Sequence, residues 1–418
     1  MSDPFWPGDE RAGDLCGPEA FVVAMVRVES AWLAALAAAG VAPAEAAVEL
    51  DGLVGAADVA DLSDSAEAGG TPVLPLLALL RSRLDGSGHH DAAEWLHRGL
   101  TSQDVVDSAL QVCLRDAVRR LRTDLDAQTA ALAELAERHR GTMMAGRTLT
   151  QHAVPVTFGL KAAQWLAGLL DARDRLADLT FPAQLGGAAG TSAATVEIAR
   201  LSGAEDSVKT ALSVASDTAV RLGLADVPPW HTTRGPVTRI GDALVAACDG
   251  WGRIAGDVLV LSRPEIGELG EAPGRGGSST MPHKANPVLS VLVRRAALSA
   301  PLLGAQLHLA AAESVDERAG GAWHVEWSTL ATLARRTVVA ASQTTELLAG
   351  LRIHEARMAA TAVASAADLL AERRSLEDRF GAPAAGAPAV DAPALAAYLG
   401  ATDQVIDTIL GRARGSGR

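Results

Sequence analysis

Asn286 is the only asparagine in the chain and Lys284 is one of three lysines; both fall in Gly-Gly-Ser-Ser-Thr-Met-Pro-His-Lys-Ala-Asn-Pro, residues 276–287. Elsewhere the chain carries its positive charge almost entirely on arginine. A segment that breaks with the composition twice within three residues has chemical requirements the usual substitutes do not meet. Lys284 offers a compact ammonium with three donors. Asn286 followed by Pro287 has the form of a helix start. The glycines let Ser278 or Ser279 move, and either serine is a candidate base. A serine removes a proton only when cations and backbone amides stabilise its alkoxide, which a lysine and a helix N-terminus would supply. A plain Gly/Ser loop leading into a helix cap is the competing structural reading.

Four other segments place polar groups at helix starts. In His97-Arg-Gly-Leu-Thr-Ser-Gln-Asp104, the competing structural reading is that Thr101 or Ser102 simply caps a long helix. The amides that a cap satisfies are the same ones that bind an anion. Gly146-Arg-Thr-Leu-Thr-Gln-His-Ala-Val-Pro155 sets Gln151 and His152 just ahead of another helix. Trp230-His-Thr-Thr-Arg234, with Arg239 beyond it, offers an arginine that either meets an anion or forms a plain salt bridge. Glu317-Arg-Ala-Gly-Gly-Ala-Trp-His-Val-Glu-Trp327 adds Arg318 beside two tryptophans suited to a helix–helix connection. These segments contain several cations and one serine loop, with no dinucleotide fingerprint, P-loop or metal-ligand spacing. The expected chemistry is therefore free of cofactor and metal: proton abstraction next to a carboxylate. Its dianionic intermediate requires donors that are in place beforehand.

Long amphipathic helices must position these groups. Helical periodicity runs over 17–40, 155–179, 238–262, 287–312 and 326–350. From Asp104 to about residue 140 it is unbroken, which at 1.5 Å per residue makes a helix of roughly 50 Å. No alternating strand is legible; short extended pieces fit near 147–153 and 181–187. The expected class is all-α, with a bundle of long helices carrying more apolar surface than one bundle needs, hence burial between subunits. Three domains are expected: 1–100, a central bundle 101–350, and a small C-terminal domain 351–418 with a linker at 381–393 and a last helix near 395–410.

Composition narrows the function classes. Hydrophobic residues make up 49% but aromatics only 3%, which suits packed helices of alanine and leucine. The net charge of −13 argues against a nucleic-acid partner and favours solubility. No apolar run is expected to approach the ~18 residues of a membrane span. Residues 1–17 lack a signal-peptide pattern, which makes the cytoplasm the expected location. Cys16, Cys113 and Cys248 are odd in number and widely spaced, as buried thiols are.

Residues 277–287 resemble the signature loop of the fumarase/aspartase superfamily, 97–104 its first substrate-binding region, and 147–155 its second. Within it, Gly146-Arg-Thr-Leu, Thr157-Phe-Gly-Leu-Lys161, Gln184-Leu-Gly-Gly-Ala-Ala-Gly-Thr191, Pro229-Trp-His-Thr and residues 317–327 are most similar to the bacterial 3-carboxy-cis,cis-muconate cycloisomerases. The resemblance covers about residues 15–350 and resumes at Ala397-Tyr-Leu-Gly400. It implies a homotetramer with active sites shared between subunits, acting on a small di- or tricarboxylate. It implies Ser278 as base; His152 stands where that subfamily usually has another polar residue, and is a candidate substitute partner in catalysis. By the same resemblance Thr101, Ser102, Lys284, Asn286 and Arg318 would bind substrate; Gln151 and Arg234 are expected to join them from the position of their segments. The implied reaction is lactonisation of carboxymuconate, a β-elimination run backwards; the alternatives are β-elimination from a substituted succinate such as nitrosuccinate or adenylosuccinate, or a non-catalytic scaffold. Departures from the superfamily pattern are Leu149 where lyases carry histidine, Ala285 in place of arginine, Arg234-Gly-Pro-Val, and a shortened C-terminal region.

Overall fold

The computed structural model describes residues 3–281, 283–381 and 390–415. The long helices fall where the apolar spacing places them: Pro18–Ala38, Ser102–Arg138, Phe158–Ala177, Gly235–Leu261, Val288–Ala312 and Ala322–Ala349. Two helices that the sequence reading passed over, Ala193–Leu201 and Ser207–Leu222, lie between the Gln184 segment and Trp230. The extended piece near 147 is the antiparallel hairpin Met143–Thr148 with Gln151–Thr157. This shortens the following helix, expected from 155, to a start at Phe158. Near 181, Pro182 bridges Ala225 in parallel. The C-terminal region holds Glu355–Ala364, Ala371–Phe380 and Thr402–Gly415. Residues 382–389 of the expected linker lie outside the described residues.

The chain divides into two compact units that interleave in sequence. The first is Met1–Leu121, Asp178–Val245 and Ala300–Val339; the second is Arg122–Ala177, Ala246–Ser299 and Ala340–Arg418. In the first, Pro18–Ala38 packs on Ser207–Leu222, and Trp32 donates to the Arg98 carbonyl at 2.8 Å. In the second, the indole of Trp251 donates to Gln128 Oε1 at 2.7 Å, and Gln128 Nε2 donates to the Ala341 carbonyl at 2.9 Å. One buried amide thus joins three long helices, satisfying polar groups that would otherwise destabilise an apolar core. The hairpin rests on the Glu355–Ala364 helix, where Ala145, Ala362, Ala366, Leu369 and Leu395 form a small core.

Two helices correct the expectation about apolar runs. Pro18–Ala38 and Val288–Ala312 are long and apolar enough, by length and composition, to cross a membrane, because alanine, valine and leucine outweigh their scattered charges. The first has 56% of its apolar window buried inside the protein, the second 33%. On the second, Val291, Leu298, Leu302 and Leu309 are all more than half exposed.

Candidate active site

The expected site residues divide between the units: Thr101, Ser102, Arg234 and Arg318 in the first, Gln151, His152, Ser278, Lys284 and Asn286 in the second.

In the second unit, the serine loop is closed at its neck. The backbone N–H of Asn286 donates to the Gly276 carbonyl at 2.9 Å, and its side-chain amide donates to the same oxygen at 2.8 Å. Gly276 has φ +72°, and a Cβ there would collide with the Asn286 carbonyl oxygen. Only glycine fits. Inside the loop, Ser278 Oγ accepts from the amides of Met281 at 3.2 Å and Thr280 at 3.4 Å. Amide donors on an oxygen favour its anionic form. Lys284 is exposed, and its ammonium has no ion-pair partner among the described residues.

Asn286 does not cap the next helix as expected. Glu271 takes that role, accepting from the amides of Leu289 at 3.1 Å and Ser290 at 2.7 Å. These two amides are therefore occupied by the protein's own carboxylate, and the amides that serve Ser278 come from within the loop. At the hairpin tip, Leu149 and Thr150 both have positive φ, 48° and 73°. A two-residue turn of this type normally carries Asn or Gly, so a leucine and a β-branched threonine there hold backbone strain. Leu149, Gln151 and His152 are exposed. At the hairpin base a cavity of about 680 Å³ is lined by Arg147, Lys161, Arg253, Asp257 and Arg263, among others. Arg147 is bound bidentately by the fully buried Glu268, at 2.7 and 3.0 Å.

In the first unit, the start of Ser102–Arg138 is built as half of a capping box: the Thr101 amide donates to Asp104 Oδ2 at 3.0 Å. The Thr101 hydroxyl instead accepts from Arg318 Nη2 at 2.6 Å. Arg318 Nε also donates to Gln103 Oε1 at 3.3 Å, and its guanidinium stands over the Trp323 ring at 5.6 Å. Among the described residues Arg318 has no carboxylate partner, so its charge is held only by neutral acceptors. Asp104 also accepts from the Gly186 and Gly187 amides, each at 2.9 Å, and from Gln184 at 3.2 Å. Burial pushes the Asp104 carboxyl up to about 6 although these donors pull it down. His97, at the head of the segment, is bound at 2.6 Å by the fully buried Glu29. Burial opposes its protonation, but the Glu29 charge outweighs this and holds it above its usual value.

Arg234, expected to meet substrate, is occupied by the protein itself. Its guanidinium lies between Asp107, at 2.8 and 3.1 Å, and Glu326, at 3.0 and 3.1 Å, with almost no exposure. Asp107 also accepts from the Trp323 indole at 2.9 Å and Gln103 at 3.2 Å. The salt-bridge alternative describes this arginine: it fixes the helices that carry Gln103 and Trp323. The residues that sequence reasoning missed are Asp104, Gln184 and His231. Their segments were singled out, but for the neighbouring hydroxyls and arginine; nothing in local spacing reveals that residues 104, 184 and 231 meet.

Each unit thus offers a cation that, among the described residues, has no carboxylate partner, Arg318 in the first and Lys284 in the second, which suits the class of carboxylate-handling lyases. The chain belongs to the lyase family whose profile matches residues 19–301, within the fumarase/aspartase superfamily. It is similar to the nitrosuccinate lyase of Streptomyces davaonensis, 42% identical over 361 residues, which is 85% of this chain and 75% of that protein. It is also similar to the 3-carboxy-cis,cis-muconate cycloisomerase of Pseudomonas aeruginosa, 41% identical over 291 residues, 68% of this chain and 60% of that protein. Among solved structures, the 3-carboxy-cis,cis-muconate lactonizing enzyme of Pseudomonas putida superposes with a TM-score of 0.80 at 30% identity, covering 94% of each chain. The protein is an enzyme of the lyase/cycloisomerase type.

Proposed function

We propose that the protein moves a proton at a carbon next to a carboxylate, without cofactor, using Ser278 as the base. The observation that carries this is the Ser278 hydroxyl accepting from two amides of its own loop, close in sequence to the unpaired Lys284. In the lactonising direction, a carboxylate oxygen of 3-carboxymuconate bonds to the β-carbon while the α-carbon takes its proton from Ser278. Lys284, Asn286, Thr101, Ser102 and Arg318 hold the substrate carboxylates, with Gln151 and His152 brought in at the strained hairpin tip. A second reading is favoured by the longer match to the nitrosuccinate lyase. There Ser278 removes the proton next to one carboxylate of nitrosuccinate, the C–N bond breaks, and fumarate and nitrite leave. Loss of muconate absorbance, set against appearance of fumarate with nitrite, decides between them. A folded protein that turns over neither these nor other substituted succinates rejects the reading.

The assembly proposed is a soluble cytoplasmic homotetramer with shared sites. The exposed row of Val291, Leu298, Leu302 and Leu309, spaced by seven, four and seven, supports it, since such a stripe is stabilised by a second helix. Mixing two inactive variants, Ser278→Ala and Thr101→Val, should restore part of the activity after subunit exchange. An active monomer in sedimentation would reject shared sites.

A further inference from the structure

His231 is more than nine-tenths buried, yet its Nε2 has no hydrogen-bond partner. A buried donor left without a partner opposes folding, so its retention calls for an explanation. Its tautomer follows from the groups around it. Gln184 Oε1 accepts the Trp230 amide at 2.8 Å, which turns the Gln184 NH₂ towards Asp104 Oδ1 at 3.2 Å and His231 Nδ1 at 3.4 Å. Asp104 as a carboxylate can only accept, so Gln184 must donate on that side. Nδ1 is then the acceptor of the ring, and the proton resides on Nε2.

The ring is kept uncharged first by burial and then by the charge of Arg318 nearby; the Asp107 charge and then the Ala188 backbone pull the other way, with no acceptor in hydrogen-bond geometry at Nε2. Gln103 ties the two together, donating to the His231 carbonyl at 2.6 Å and accepting from Arg318. An unpaired guanidinium and an unpaired N–H therefore stand beside a helix start, with only neutral oxygens on the cation. A carboxylate would displace Thr101 from Arg318, because charged pairs are the stronger bonds, and would supply the missing acceptor. We propose that His231 is a substrate-binding residue whose Nε2–H donates to a carboxylate oxygen held by Arg318, with Asp104 and Gln184 acting as positioning residues that set the ring's proton. The proposal rests on the carboxylate chemistry proposed above but not on Ser278.

Calorimetric titration of the intact protein with succinate and tricarballylate reads binding without turnover, and nitrogen-15 NMR of the imidazole reads the tautomer. The expected result is Nε2 protonated before addition and shifted after it. His231→Phe weakens binding about 10- to 100-fold, the worth of one hydrogen bond to a charged group. A cooperative thermal melt checks that the variant is folded, since phenylalanine also removes the Nδ1 acceptor of Gln184. His231→Gln, which keeps a donor, recovers part of the affinity. A proton on Nδ1, no binding of either probe to the wild type, or binding by His231→Phe as tight as the wild type overturns the proposal. Ser278→Ala is expected to bind the probes normally, so failure of the serine-base chemistry would leave this result standing.

Discussion

The Thr101 helix start and the Ser278 loop are both expected to handle a carboxylate, and they are built in opposite ways. Around Thr101, side chains fix one another: Asp104 bonds four donors, Asp107 bonds three side chains, and Arg234 is closed between two carboxylates. The Ser278 loop is exposed, hinged on glycine and closed at its neck by Asn286, and its chemistry-bearing groups have few side-chain partners. A receptor for fixed charge benefits from donors that need no reorganisation. A base that must meet a carbon benefits from a loop able to close. Damage should therefore appear as lost stability in the first region and as lost turnover in the second.

The largest expected effect is Ser278→Ala, with turnover lower by at least ~10²–10⁴-fold, the usual worth of a general base. Steady-state kinetics and thermal melting should show the rate collapsing while the midpoint stays in place. A falling midpoint would break the comparison. Asp107→Ala tests the other side. It leaves Arg234 with Glu326 alone and the Trp323 indole without its acceptor, so chemical denaturation should show a loss of about 3–5 kcal/mol, as for a broken buried ion pair.

Gly276→Ala sharpens the role of the loop. The added Cβ meets backbone that cannot yield, so most activity should be lost, while global unfolding moves by about 1 kcal/mol or less because the clash is confined to an exposed loop. The smallest effect is one of pH. The Asp104 carboxyl, at about 6 in the folded chain, binds its proton more tightly than in the unfolded chain, where about 3.9 is usual. Its protonation therefore favours folding: that contribution is full below about 4, declines as pH rises through about 6, and is absent above. Denaturant melts of wild type minus Asp104→Asn between pH 4 and 8 should follow this slope; a flat difference would contradict it.

The long helices were legible because each buries one stripe, and a stripe recurs every 3.6 residues in the chain. Ala193–Leu201 and Ser207–Leu222 went unread amid short polar residues. The hairpin was read only as extended pieces, because its alternation is weak and its tip carries Leu149 and Thr150 where turn chemistry predicts glycine or asparagine.

The serine loop stands out in the sequence alone, since a lone asparagine and a rare lysine two residues apart break an arginine-rich background. The sequence also marks the Thr101 helix start, because a cap and a long periodic run are local features. The partners were decided in three dimensions. That Asn286 closes a neck while Glu271 caps the helix, that Arg234 is consumed by Asp107 and Glu326 whereas Arg318 meets neutral oxygens, and that Asp104, Gln184 and His231 meet, all depend on contacts between residues tens to hundreds apart. Local propensity carries no information about such pairings, because hydrogen bonds and ion pairs act over a few ångströms in space and chain distance does not limit them.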